Sequence, residues 1–244
     1  MLTFTAIRYN RRKCLPLTGL TFSEFQLLLP AFVRSYADLY PPEVTSAGRP
    51  RQRSVGGGRK GALATPEQKL LFILVYVKTY PLQAVMAELF GLSQPGVNSW
   101  IHRLLPVLQG ALQALGTLPQ RDPDCFAEAQ LPTDEDRQLI LDGTERRRQR
   151  PKDPEKQAAH YSGKKKAHTD KDVVIAGVHS PRIEFLSETY IGKTHDKKIA
   201  DQEGISYPPG TVLHKDTAFQ GYEPAVQETC QAKKKATPRE THGG

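Results

Sequence analysis

The fold class predicted is an all-α N-terminal part carrying a helix-turn-helix, followed by an α+β or α/β part in which short strands alternate with helices. Two observations carry it. Apolar residues recur at helical spacing up to about Leu115, and from Leu139 onward the chain breaks into short apolar runs bounded by turn residues. The chain has 244 residues, 38% of them hydrophobic, enough to bury one large core or two small ones. Lys and Arg total 34 against 26 Asp and Glu, a net charge of +8 that points to a polyanionic partner, nucleic acid first. A merely basic, solvated surface would show the same excess, so the motifs must decide.

Residues 1–45 read as an N-terminal helical segment. In "TGLTFSEFQLLLPAFVRSYADLY", Phe25, Leu28, Leu29, Phe32, Val33 and Tyr36 fall at helical spacing behind a capping box of Thr21 and Glu24, with Pro30 bending or breaking the helix. Residues 46–62 are rich in Pro, Gly and Arg without periodicity. They read as a basic connector, either a solvated linker or an arm in which Arg51, Arg53, Arg59 and Lys60 track phosphates.

Residues 63–117 are the clearest helical block. Thr65 caps, Pro66 takes the first helical position and Gln68 completes a capping box. A second helix after Pro81 presents Leu82, Val85, Met86 and Leu89 and closes at Gly91. Ser93 caps a third, with Val97, Ile101, Leu104 and Leu105 inward and Gln94, Asn98, Ser99, His102 and Arg103 outward, while Trp100 reads as core. This is the pattern of a helix-turn-helix whose early polar residues enter a major groove. A plain αα-hairpin in a bundle fits the spacing equally; the basic connector upstream favours DNA.

Residues 135–244 form the second part. Strands are predicted at "LILD", "KKKAHTDKDVVIAGVH" and "PRIEFLSETY", the last two a hairpin turning at Ser180 and Pro181. A helix capped by Thr194 follows at "THDKKIADQEG", then a strand in "GTVLHKDTAFQG", and the tail "QAKKKATPRETHGG" reads as unstructured.

Two of these strands end in an aspartate, Asp142 and Asp216. On neighbouring strands they would emerge side by side, and close carboxylates repel unless a cation lies between them. Mg²⁺ or Mn²⁺ suits oxygen ligands completed by water and phosphate, and two such ions serve phosphodiester cleavage. Singly, each aspartate is equally a turn or cap residue. The basic residues Arg146, Arg147 and Arg148 and the run Lys164, Lys165 and Lys166 would hold the DNA phosphates, although the lysines also fit a solvated strand end. His195 with Asp196 is a helix cap or, less simply, a metal or acid-base pair.

The segments "LDGTERRRQRPKDPEKQAAHYSGKKKAHTDKDVVI", "SETYIGKTHDKKIADQEG" and "LHKDTAFQGYE" resemble the catalytic region of the DDE superfamily endonucleases, nearest the insertion-sequence-five transposases, which carry a helix-turn-helix in front. The resemblance implies a ribonuclease-H-like sheet, and metal-dependent cleavage and strand transfer at the terminal inverted repeats of an insertion sequence. It also implies that Asp142 bridges two metal ions and Asp216 binds one. Thr217, Ala218 and Phe219 replace the family's lysine, glycine and tyrosine, while Gln220 and Gly221 remain.

The family's third acid is a helical glutamate tens of residues beyond the second aspartate, and Glu223, Glu228 and Glu240 stand outside that context. The expectation is therefore an incomplete sheet and a truncated or frameshifted chain, inactive alone. The alternative is a catalytically dead DNA-binding remnant or repressor. The resemblance also implies double-stranded DNA as partner, both inverted repeats and target, and a homodimer to bring two element ends together.

Cys14, Cys125 and Cys230 show no metal or disulfide spacing, and His160, His168, His179 and His214 have no zinc pattern. No apolar run approaches the roughly 20 residues of a membrane span and the first residues lack a signal-peptide core, so a cytoplasmic, nucleoid-associated protein is expected.

Overall fold

The computed structural model describes residues 1–44, 49–52, 61–180 and 182–231. The chain divides into two compact units, Met1–Thr117 and Leu118–Gly244.

The first unit is helical: α1 (Phe4–Tyr9), α2 (Cys14–Thr18), α3 (Phe22–Leu39), α4 (Pro66–Thr79), α5 (Gln83–Phe90) and α6 (Gln94–Ala114). The capping box of Thr21 and Glu24 starts α3. Pro30 does not break α3. It lies on the exposed side, where the backbone hydrogen bond it removes costs least. Phe22, Phe25, Leu28, Ala31 and Phe32 form the buried stripe of α3, while Val33, expected inside, is 41% exposed.

Two expectations about the middle helices need correction. Thr65 caps α4 by accepting from the Gln68 amide, but Gln68 does not close a capping box. Its side chain accepts from Phe4 N at 2.7 Å and donates to Leu2 O at 2.8 Å, tying the N-terminal segment to α4. In α5 the buried face is Met86, Ala87 and Phe90, whereas Leu82, Val85 and Leu89 are exposed. The Phe90 ring meets Phe72 edge-on at 5.0 Å, and that aromatic anchor fixes which stripe turns inward. Gly91, at φ 64°, makes the left-handed turn into α6, whose cap is Ser93. Val97, Ile101 and Leu104 are buried as expected, but Leu105 is 38% exposed. One core joins α3, α4, α5 and α6.

The second unit contains β1 (Gln138–Arg147), α7 (Pro154–His160), β2 (Tyr161–Ser162), β3 (Ala167–Gly177), β4 (Ile183–Leu186), β5 (Tyr190–Ile191), α8 (Asp196–Glu203), β6 (Val212–Lys215) and β7 (Glu228–Gln231). The sheet runs β2-β3-β1-β6-β7, with β4 and β5 also paired to β3. It is mixed: β1 is antiparallel to β3 and parallel to β6, and β6 is parallel to β7. A mixed sheet with flanking helices behind a helical N-terminal unit is consistent with a ribonuclease-H-like fold.

The first strand does not stop at Asp142. It continues through Arg147, held pair by pair against β3 from Leu139 opposite Gly177 to Arg147 opposite Thr169. Backbone pairing, invisible to a hydrophobicity pattern, extends the strand through its charged half. The cap of α8 also differs: His195 is the N-cap and makes no side-chain capping bond. Thr194 instead offers its carbonyl to Lys171 at 2.8 Å.

Leu139, Leu141, Val173, Ile175 and Leu213 turn to one face of the sheet, where Ile199 and Ala200 of α8 cover them. Ile140, Asp142, His214 and Asp216 fall on the opposite face by strand alternation. No helix among the described residues is long and apolar enough to cross a membrane.

Candidate active site

The pairing of β1 with β6 places Leu141 beside Lys215. One residue further, Asp142 and Asp216 occupy adjacent positions on parallel strands about 4.8 Å apart. Both are exposed, and both line a cleft of about 640 Å³ with Ile140, Val178, His214 and Cys230. Asp142 Oδ1 accepts its neighbour's amide, Gly143 N, at 2.8 Å. Asp216 Oδ1 accepts from Thr217 N at 2.6 Å and from the Thr217 hydroxyl at 3.2 Å. Among the described residues the second oxygen of each carboxylate has no hydrogen-bond partner, so each presents an uncommitted acceptor to the cleft.

This pair suits a divalent cation that takes one or two carboxylates and fills its shell with water and phosphate oxygens. Among the described residues no group of three or more His, Cys, Asp and Glu side chains converges as a metal cluster. Glu223 sits away from the pair: it bonds Lys215 Nζ at 2.9 Å, and Lys215 is buried under the covered face. Glu228 pairs with Val212, at the start of β6 rather than at its Asp216 end. Glu240 lies outside the described residues.

Behind Asp142 lies a buried charge cluster that the sequence pattern did not reveal. Lys171 Nζ is 2.9 Å from Asp196 Oδ1, 3.4 Å from Glu145 Oε1 and bonded to the Thr194 carbonyl. Asp196 Oδ1 is paired with Lys171 by charge but accepts no hydrogen bond. Burial raises the Glu145 carboxyl, yet a hydrogen bond from Ser162 and the Lys171 charge hold it below its ordinary value overall. A Cβ on Gly143 would lie 2.8 Å from the Asp196 carboxylate, so the residue following Asp142 is glycine for lack of space. The alternation of Thr169, Lys171, Val173 and Ile175 along β3 was the available signal that Lys171 turns inward.

The arginine row is largely committed to acids. Arg146 grips Asp172 through two nitrogens at 2.9 and 3.1 Å and also donates to Thr189. Arg148 pairs with Asp170 at 2.9 Å beside His160. Arg147 is exposed without an ion-pair partner among the described residues, and Lys164, Lys165 and Lys166 are exposed in the turn between β2 and β3.

In the first unit, Gln94, Asn98, Ser99, His102 and Arg103 are all exposed along α6. Arg51 is described and bonds the Val44 carbonyl at 3.1 Å. Arg53, Arg59 and Lys60 lie outside the described residues, as does Pro181 of the predicted hairpin turn.

Residues 141–243 match the family described as DDE superfamily endonuclease, and residues 61–114 match the helix-turn-helix of DDE superfamily endonuclease. The two matches support a DDE transposase-type nuclease with a helix-turn-helix in front. In this transposase-type nuclease, the helix-turn-helix match covers α4, α5 and α6, and the endonuclease match begins one residue before Asp142. DDE endonucleases use divalent metals, the chemistry that the Asp142 and Asp216 carboxylates suit. No curated protein and no solved structure gives a match.

Proposed function

We propose that this DDE endonuclease is a transposase of the insertion-sequence-five type. It cuts phosphodiester bonds at the terminal inverted repeats of its element and transfers the freed 3′ hydroxyl to target DNA. The observation that carries the reading is the adjacency of Asp142 and Asp216 at the mouth of an open cleft, in a chain whose other unit carries a helix-turn-helix.

Asp142 and Asp216 would hold Mg²⁺ or Mn²⁺, which would neutralise the charge that builds on attacking and leaving oxygens. The chain's own contribution is positional. Strand pairing fixes the two carboxylates, their Oδ1 atoms are tied to local amides, and Arg147 and Lys164 to Lys166 offer exposed charge to the backbone phosphates. Gln94, Asn98, Ser99 and His102 face outward where a recognition helix reads base edges. Because two element ends must be joined, the working form is a homodimer on DNA, associated with the nucleoid.

The test is nicking of supercoiled DNA carrying the element ends, with Mg²⁺ or Mn²⁺. Asp142→Ala and Asp216→Ala should each abolish nicking and leave duplex binding intact. Sequence-selective binding by the wild-type chain with no cleavage under any divalent cation would sink the enzyme reading and leave a DNA-binding protein.

A further inference from the structure

Three aromatic rings in the helical unit, Tyr36, Tyr40 and Trp100, carry two cations from different helices. The Arg103 guanidinium on α6 lies 4.3 Å from the Tyr40 ring centre and 5.4 Å from both Tyr36 and Trp100. Lys69 Nζ on α4 lies 5.2 Å from Tyr36 and 5.8 Å from Trp100. Tyr40 also donates its hydroxyl to the Arg103 carbonyl at 3.3 Å, so the ring that stacks on the guanidinium is tied to the same residue's backbone.

Neither cation has an ion-pair partner among the described residues. Arg103 and Lys69 therefore share two rings and face each other's charge. Burial, and then the Arg103 charge, lower the Lys69 pKa, with Glu67 offsetting only part of this. Aromatic faces orient cations without neutralising them. Two oriented, unneutralised cations form a site whose missing component is an anion. A guanidinium within 5.4 Å of three ring centres would give up those contacts to reach a base edge.

We propose that Lys69 and Arg103 form a clamp for one DNA backbone phosphate, which separates Arg103 from Gln94, Asn98, Ser99 and His102 as a positioning contact rather than a base reader. The proposal rests on the DNA-binding half of the function proposed above. It adds Lys69, outside the recognition helix, to the interface.

The experiment measures binding of the full chain, across a salt series, to a duplex selected from a randomised library and to a scrambled duplex of equal length. Lys69→Met and Arg103→Met should each weaken binding to both duplexes by the same factor. Each should also reduce the slope of log K against log[salt] by about 0.9, the value of one phosphate contact. Asn98→Ala should instead shrink the ratio between the two duplexes. Because the two clamp residues lie on different helices, a folding defect in one variant, seen in the near-UV spectrum, leaves the other to decide. An unchanged slope in a folded variant, or an Arg103→Met variant that loses the ratio, overturns the clamp. A wild-type chain that binds neither duplex overturns the DNA-binding reading itself, and the clamp with it.

Discussion

Lys171 and Asp196 meet at 2.9 Å beneath Gly143, joining the centre of β3 to the first turn of α8 directly behind Asp142. The lysine is buried and has Glu145 as a second acid at 3.4 Å. Removing one member of a buried charge group leaves the others unpaired in a poorly solvated place. Lys171→Met should therefore destabilise the protein by about 3–5 kcal/mol, read as a lower urea midpoint with unchanged slope. An unchanged midpoint would show that the ammonium makes no net contribution.

Gly143 tests the same contact from the other side. An added methyl would meet Asp196 Cγ and Oδ1 at 2.8 Å, and the carboxylate cannot swing away freely because Lys171 holds it. Gly143→Ala should cost about 1–3 kcal/mol, the range for overpacking, and should reduce nicking more than duplex binding, since the displaced backbone carries Asp142. Equal losses in both assays would mean that the strain does not reach the carboxylate.

Glu145 gives the cluster a pH dependence with a definite sign. Its folded pKa lies below the ordinary 4.5, so it contributes stability that is complete above that value and lost as pH falls through the folded pKa. The denaturation midpoint should fall as the solution is acidified below pH 4.5, and Glu145→Gln should flatten that part of the profile. Parallel profiles for variant and wild type would assign the acid sensitivity to other carboxylates.

That Asp142 and Asp216 stand just past the paired residues Leu141 and Lys215 was legible because each closes a short apolar run, and parallel strands bring such ends together. The capping box at Thr21 and the turn at Gly91 were legible too, since both are local chemistry written within four residues. What the sequence concealed was non-local. Gln68 matched a capping box, yet its partners are Leu2 and Phe4, far away in the chain. The charged half of β1 resembled a loop because its strand character comes from β3, and the acids that engage Arg146 and Arg148 also lie on that partner strand. α7 and β7 were not anticipated, being too short to show a periodicity.

Those pairings predict opposite behaviour for the two basic stretches. Arg146 holds Asp172, whose side chain is 2% exposed, through two hydrogen bonds. Arg146→Met should therefore act on stability, costing about 1.5–3 kcal/mol as for hydrogen bonds to a charged group, with Thr189 still bonded to the acid at 2.7 Å. Its effect on the salt dependence of DNA binding should be small, because an arginine already neutralised by an acid releases few counterions. Lys164, Lys165 and Lys166 are exposed, and replacing all three by Gln should change the unfolding free energy by no more than about 0.5 kcal/mol and lower the salt slope. The reverse pattern, a slope loss for Arg146→Met and none for the lysine triple variant, would move the phosphate surface from the turn to the strand.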